Sequence, residues 1–262
     1  MIVIVDTHAH LTDENFKDIK HYLQLASEAG VNEILTVATT LEDSRKCIAL
    51  AEEYDEIRCA VGLHPNNCCQ AKAGDWHEIE QLARHAEVAA LGETGLDKYW
   101  DDCPWDVQCD YFRRHLALSR DLKLPVVIHT RECASETLEI LKQEASHGPL
   151  LGVMHSFTGP LSVAMGCLEL GLYVSFAGMV SFKNAAEIRE NAKEIPVDRI
   201  LVETDSPYLT PHPFRGKRPN HPALVVHTLR AVAEARGDEY GELAQQTTKN
   251  AHRLFGTWSG AE

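Results

Sequence analysis

Two histidines one residue apart, His8 and His10, stand just after a short apolar run and Asp6 near the start of the chain. In extended backbone, residues i and i+2 face the same side, so both imidazoles can address one metal ion. Histidines and carboxylates recur in similar settings along the chain. His64 lies in Gly62-Leu63-His64-Pro65, and Glu93 in Gly92-Glu93-Thr94-Gly95-Leu96-Asp97. His129 precedes Thr130-Arg131, and His155 precedes Ser156-Phe157. Glu203 and Asp205 belong to Glu203-Thr204-Asp205-Ser206-Pro207-Tyr208. Any one of these is as well explained as a hydrogen-bonded structural group. As a set at the ends of successive apolar runs they point to a metal centre, because buried charge of that density needs cations or partners.

The apolar runs that must position them are Ile2–Asp6, Glu33–Ala38, Ile57–Val61, Val88–Gly92, Pro125–His129, Leu150–His155, Tyr173–Phe176 and Ile200–Thr204. They are nearly continuous in Val, Ile and Leu, as strands buried on both faces should be. Helix-period segments alternate with them: Asp18–Ala29, Glu42–Tyr54, Asp75–His85, Trp105–Leu122, Ala134–Ala145, Leu161–Leu170 and Ala185–Glu194. Alternation over the whole length predicts parallel strands with right-handed crossovers. Eight strands predict closure into a (β/α)8 TIM barrel, and 262 residues suit one such domain, 1–262, which typically takes about 250. His221–Arg236 and Glu239–Leu254 are expected as extra C-terminal helices on the outside. In a parallel barrel every C-terminal strand end meets at one mouth, where active sites lie.

Composition sets further bounds. Twenty-five Lys and Arg against 39 Asp and Glu give a formal charge of −14. A protein that grips long nucleic acid usually carries a basic footprint, so the charge argues against a large non-specific DNA-binding surface. It leaves room for an enzyme admitting one strand end, since bound divalent cations reverse the local field. The eight cysteines are scattered and form no C-x-x-C pair, which fits reduced thiols better than a disulfide framework. The first residues meet charge at Asp6 and lack the basic start and apolar stretch of a signal peptide. No run approaches the roughly 20 apolar residues needed to cross a bilayer. A cytoplasmic protein with no membrane partner is expected. His21, His77, His85, His115, His147, His227 and His252 fall on helices or loops away from the mouth and are expected at the surface. Asp101-Asp102 and Glu52-Glu53 are expected on solvated faces.

With these segments in hand, the chain resembles the TatD family of metal-dependent deoxyribonucleases, within the amidohydrolase superfamily. The resemblance runs from Asp6 to Phe255 and rests on six segments in order: Asp6-Thr7-His8-Ala9-His10-Leu11, Gly62–Pro65, Gly92–Asp97, Pro125–Arg131, His155-Ser156-Phe157-Thr158-Gly159 and Glu203–Leu209. It implies a (β/α) barrel with two divalent metals at its mouth. His8, His10 and Asp205 would hold one, His129 and His155 the other, and Glu93 would bridge them. Such a mixed nitrogen and oxygen set suits Zn²⁺, Mn²⁺ or Mg²⁺. One departure is visible. Relatives commonly continue R-G-K-R-N-E-P after the last strand, whereas here Arg215-Gly216-Lys217-Arg218-Pro219-Asn220-His221-Pro222 carries an extra Pro and His221 in place of Glu.

The resemblance further implies hydrolysis of phosphodiester bonds in DNA, exonucleolytic on single-stranded ends, with Glu93 and Asp205 catalytic. Asp205 is placed to act as general base on the attacking water. Arg131 and His64 are candidates to bind the substrate phosphate, and Glu203 to orient a ligating histidine. Lys98 and Arg215 would add positive field, and Tyr99 and Trp100 offer faces for a base. The alternative is an amidohydrolase acting on a small-molecule ester, lactone or amide, since the same mouth supports either reaction. A PHP-type phosphoesterase also begins with H-x-H but closes with D-x-H, where this chain has Glu203-Thr204-Asp205. A metal-binding regulator without chemistry is disfavoured because every candidate ligand is present.

Overall fold

A computed structural model describes residues 3–258. Its eight strands are β1 (Ile4–Ala9), β2 (Val31–Val37), β3 (Ile57–Val61), β4 (Val88–Asp97), β5 (Val126–Arg131), β6 (Gly152–Met154), β7 (Tyr173–Phe176) and β8 (Ile200–Val202). They pair in sequence order, each parallel to the next. Parallel neighbours cannot be joined by hairpins, so each step takes a crossover helix. These are α1 (Ile19–Glu28), α2 (Leu41–Glu53), α3 (Asp75–Leu82), α4 (Trp105–Leu122), α5 (Ala134–Ala145), α6 (Leu161–Glu169) and α7 (Ala186–Glu194). Two more, α8 (Val225–Arg236) and α9 (Tyr240–Phe255), follow β8. The ring closes where β1 meets the chain just past β8. Asp205 donates its N–H to the His8 carbonyl at 2.9 Å, and His10 donates to the Ser206 carbonyl at 2.8 Å. The fold is a (β/α)8 barrel.

Period-two alternation sorts the strand residues into two buried layers. Val5, Leu35, Val37, Ala60, Val127, Val153, Tyr173 and Leu201 point inward and form one cluster. Ile34, Ile57, Val61, Ile128, Met154, Val174 and Val202 point outward and pack under the helices. His129, His155 and Glu203 each lie two residues beyond an inward residue, so the same parity aims them into the mouth. Helix starts follow local chemistry: Thr40 caps α2 by accepting the Asp43 N–H at 3.1 Å.

Boundaries differ from the sequence-based expectation mostly at the mouth. The expected first strand begins at Ile2, which lies outside the described residues, and β1 runs on through His8 to Ala9. β4 is longer than expected because it continues through Glu93 to Asp97. Between Leu91 and Thr94 its register against β5 slips, a bulge that re-aims the Glu93 side chain. The bulge needs glycine on both sides. Gly92 has φ +141°, and a Cβ there would lie 2.8 Å from the Val127 carbonyl; at Gly95, with φ +136°, it would lie 2.0 Å from the His129 carbonyl.

α9 does more than close the outside. Ala251, Leu254, Phe255 and Trp258 join the inward cluster, and the Trp258 indole N–H reaches the Ile34 carbonyl at 3.3 Å. The end of α9 thereby seals the barrel opposite the mouth. No helix of the described residues is long and apolar enough to cross a membrane. The eight cysteines are all free thiols.

Candidate metal centre

Glu93 stands at the middle of the mouth, 3% exposed. Its two oxygens face different imidazoles. Oε1 lies 2.9 Å from His129 Nδ1, 2.9 Å from His155 Nε2 and 3.6 Å from His64 Nε2. Oε2 lies 3.4 Å from His8 Nε2 and 3.6 Å from His10 Nε2. Asp205 Oδ1 completes the second group at 3.8 Å from His8 Nε2 and 3.5 Å from His10 Nε2. His8 Nε2 and His10 Nε2 are 3.2 Å apart, and His129 Nδ1 and His155 Nε2 are 3.4 Å apart.

These spacings match what a cation requires. Four donors arranged tetrahedrally about an ion at about 2.0–2.1 Å stand roughly 3.3–3.4 Å from one another. His8 with His10 and Glu93, His8 with His155 and Asp205, and His64 with Glu93 and His129 each bring three potential donor atoms within 4.8 Å of one another. The donor chemistry fits a divalent ion.

Second contacts fix which nitrogen each ring turns to the centre. His10 Nδ1 meets the Val37 carbonyl at 2.8 Å, His155 Nδ1 meets Glu203 Oε1 at 3.1 Å, and His129 Nε2 meets Asp97 Oδ2 at 3.0 Å. Each of those nitrogens must donate, which leaves the opposite lone pair free for a cation. His64 is wired the other way. Its Nδ1 accepts the Asn66 backbone N–H at 3.1 Å, so in the neutral ring Nε2 carries the hydrogen and faces the centre as a donor. Proximity groups His64 with Glu93 and His129, but this tautomer has no lone pair to offer a metal.

The electrostatics show a site that calls for positive charge. Burial alone would raise the Glu93 carboxyl, but the fields of His155 and His64 and hydrogen bonds from His129 and His155 hold it well below its usual range. Asp205 behaves alike, its burial outweighed by the His10 hydrogen bond and the fields of His155, His8 and His10. Conversely, burial opposes the charging of His10, yet Asp205 and Glu93 lift it to about 9. Glu93 and Glu203 raise His155 in the same way. Between buried carboxylates, His10, His129 and His155 thus favour a positive charge that a divalent ion would otherwise bring, whereas burial lowers His8 and His64 and favours their neutral rings. The backbone is special here too. Ser156 (φ 43°) and Asp205 (φ 55°) both adopt the left-handed region, a conformation that costs energy in a non-glycine residue and tends to gather at functional sites.

All six expected ligands and His64 meet in this group; Arg131 does not. Its guanidinium is exposed at the rim and stacks 3.7 Å above the Tyr99 ring, with Trp100 at 5.8 Å. Lys98 turns away to Glu136 and the Trp105 ring, and Arg215 covers Phe182 at 4.1 Å. Three residues of the site escaped the sequence reading. Asp97, 2% exposed, holds His129 while accepting N–H groups from Tyr99, Trp100 and Asn66. Asp6 ties β1 to the β8 end through Thr204, whose N–H and hydroxyl reach it at 2.8 and 2.6 Å. Asn220 donates to the carbonyls of Thr204 and Tyr208 at 2.9 and 2.6 Å. Asp97 and Asp6 stand inside motifs already singled out, so their position was the available signal. His221, the residue replacing Glu, turns from the centre toward Tyr22 of α1, with ring centroids 5.7 Å apart.

His115 corrects one expectation. It is fully buried, accepting the Leu63 N–H at 3.2 Å through Nε2 and donating from Nδ1 to the Tyr111 carbonyl at 2.7 Å. It sits on the inner face of α4, where the apolar stripe hides a polar residue whose needs are met locally. His227 and His252 are also partly covered, the latter meeting Glu33 at 2.5 Å. Asp101, Asp102, Glu52 and Glu53 are exposed as expected.

A parallel barrel whose strand ends gather histidines and carboxylates about one central glutamate has the make-up of a metal-dependent hydrolase. The family model of TatD related DNases matches residues 5–256, and the chain belongs to that family. It is 41% identical over 254 residues to the metal-dependent hydrolase YabD of Bacillus subtilis, covering 97% of this chain and 99% of the relative. It is 35% identical over 258 residues to the 3'-5' ssDNA/RNA exonuclease TatD of Erwinia tasmaniensis, covering 95% and 98%. The crystal structure of YJJV, a TatD homologue from Escherichia coli K12, superposes with a TM-score of 0.92 at 31% identity, covering 98% of this chain and 100% of that one.

Proposed function

We propose that the chain is a cytoplasmic phosphodiesterase that removes nucleotides from the ends of single-stranded DNA, using two divalent cations drawn from Zn²⁺, Mn²⁺ and Mg²⁺. The observation that carries this is the Glu93 carboxylate, whose oxygens face two separate imidazole sets. His8, His10 and Asp205 would hold one cation, His129 and His155 the other, with Glu93 shared. When bound, such ions acidify water and polarise a phosphoryl oxygen.

The chain's own groups do the rest. Asp205 is ionised beside His10 and can take the proton from an attacking water as general base. His64 turns an N–H toward the centre, suited to a phosphoryl oxygen. Arg131, its guanidinium held over the Tyr99 ring, can offer its fork to a phosphate at the rim. Glu203 and Asp97 keep His155 and His129 aimed. The name of the Erwinia tasmaniensis relative, 3'-5' ssDNA/RNA exonuclease, supports a nucleic-acid strand as substrate.

Replacing His8 and His10 together by Ala tests the core of this reading. Bound metal and phosphodiesterase turnover should both collapse; full metal content with full activity would rule the site out. The charge of −14 favours one rival, hydrolysis of a small ester, lactone or amide by the same group. Metal-free protein reloaded with one ion at a time, then assayed on single-stranded DNA, RNA and a small-ester panel, separates the two.

A further inference from the structure

The chain after β8 is unlike the rest of the molecule. From Ser206 to Ala233 it contains no Asp or Glu, in a protein with 39 of them in 262 residues. The same stretch holds Arg215, Lys217, Arg218 and Arg230 with three histidines. It lines one side of a cleft of about 570 Å³, whose other side is the turn after β7. Lys183, Arg189, Arg230, His212 and His227 face this cleft, against one carboxylate, Glu234.

The walls are fixed. His212 donates its N–H to the Ser181 hydroxyl at 2.8 Å, and a Cβ on Gly178 would fall 1.9 Å from the Leu209 carbonyl, so the two loops press directly together. Arg189 spends its guanidinium on the carbonyls of Val180 and Phe182, at 3.0 and 2.6 Å, and shapes the cleft rather than its chemistry. Lys183 and Arg230 are exposed. Phe182 lines the cleft and carries Arg215 on its ring. Both loops leave the C-terminal ends of strands, so their part of the cleft lies on the Glu93 side of the barrel, and the cleft continues along α8 from His227 to Ala235.

Cations beside aromatic rings are what a single strand uses, phosphate against charge and base against ring. The volume suits a nucleotide-sized ligand. We propose that this cleft is a second nucleotide subsite, holding a phosphate and base of the strand away from the bond being cut. It rests on the phosphodiesterase reading for its substrate, and it would explain how an acidic protein keeps hold of a polyanion between turnovers.

The test uses the exposed pair, Lys183→Glu with Arg230→Glu, and the milder Lys183→Gln with Arg230→Gln. Binding is read by fluorescence anisotropy with a phosphorothioate oligodeoxynucleotide of about ten residues, across a salt series. The Glu pair should weaken binding about tenfold or more and flatten the salt slope by about 0.7 for each phosphate no longer neutralised, with the Gln pair intermediate. On a long strand KM should rise while kcat holds, and turnover of bis(p-nitrophenyl) phosphate, too small to span the two sites, should not change. Equal affinity and equal salt slope in all three proteins would overturn the subsite. Free deoxyadenosine monophosphate provides a further arm: competition abolished in the Glu pair supports the subsite, and competition unchanged counts against it. Cleft-dependent binding without hydrolysis of any phosphodiester would defeat the catalytic reading and leave the subsite standing; hydrolysis with cleft-independent binding would do the reverse.

Discussion

The two ends of the barrel are made by the same eight strands and have opposite chemistry. At one end Val5, Leu35 and Leu201 meet Leu254, Phe255 and Trp258 in an apolar seal. At the other, residues of the same inward parity are His129, His155 and Glu203, crowded with Glu93 and Asp205. Alternation decides which side chains enter the barrel; residue type alone decides which end stabilises and which reacts. The sealed end should therefore tolerate loss of stability without loss of chemistry, and the mouth the reverse.

The strongest break should come from Asp205→Asn. If it is the base, turnover falls by about 10²–10⁴-fold, while the thermal midpoint stays near the parent's. Steady-state kinetics beside a melting curve check both halves, and near-parental rates would remove Asp205 from the chemistry. Phe255→Ala attacks the sealed end, where a cavity under α9 should cost about 3–5 kcal/mol in urea unfolding. Turnover per folded molecule should not move.

His115 sharpens the contrast with His10, His129 and His155, which carboxylates at the mouth hold above the usual imidazole range, because burial behind the mouth keeps it neutral. Burial pushes His115 down to about 4, below the 6.5 of a free imidazole. Between those values the unfolded chain binds a proton that the folded chain refuses, so stability rises with pH there. Its contribution should be fully present above about pH 6.5 and lost as pH falls through about 4, amounting to about 3 kcal/mol. Urea titrations across that window should show a shallower slope for His115→Gln than for the parent. The smallest effect is expected from Asp97→Asn, which loosens His129 without touching Glu93. Metal affinity should drop about 10–100-fold in chelator competition.

The sequence carried the architecture because buried parallel strands announce themselves as Val- and Ile-rich runs, and the histidines were legible because they end those runs. What it concealed depends on contacts between distant segments. Nothing local marks Asp97 as the partner of His129, or Asn220 as the anchor of the strand-eight end. The outward reading of His115 failed because a single polar residue on an amphipathic helix gives no sign that Leu63 and Tyr111 will satisfy it. β4 ran past its expected end because Gly92 and Gly95, ordinarily breakers, here permit a bulge.

His8 lies on the first strand made and His10 just after it, and Asp205 just past the last, joined by the hydrogen bonds from Asp205 to His8 and from His10 to Ser206. During synthesis the opening histidines must wait for nearly the whole polypeptide before their third companion arrives. A prematurely terminated chain would emerge without this set of donors, so ion capture by these three residues would report that the barrel has shut.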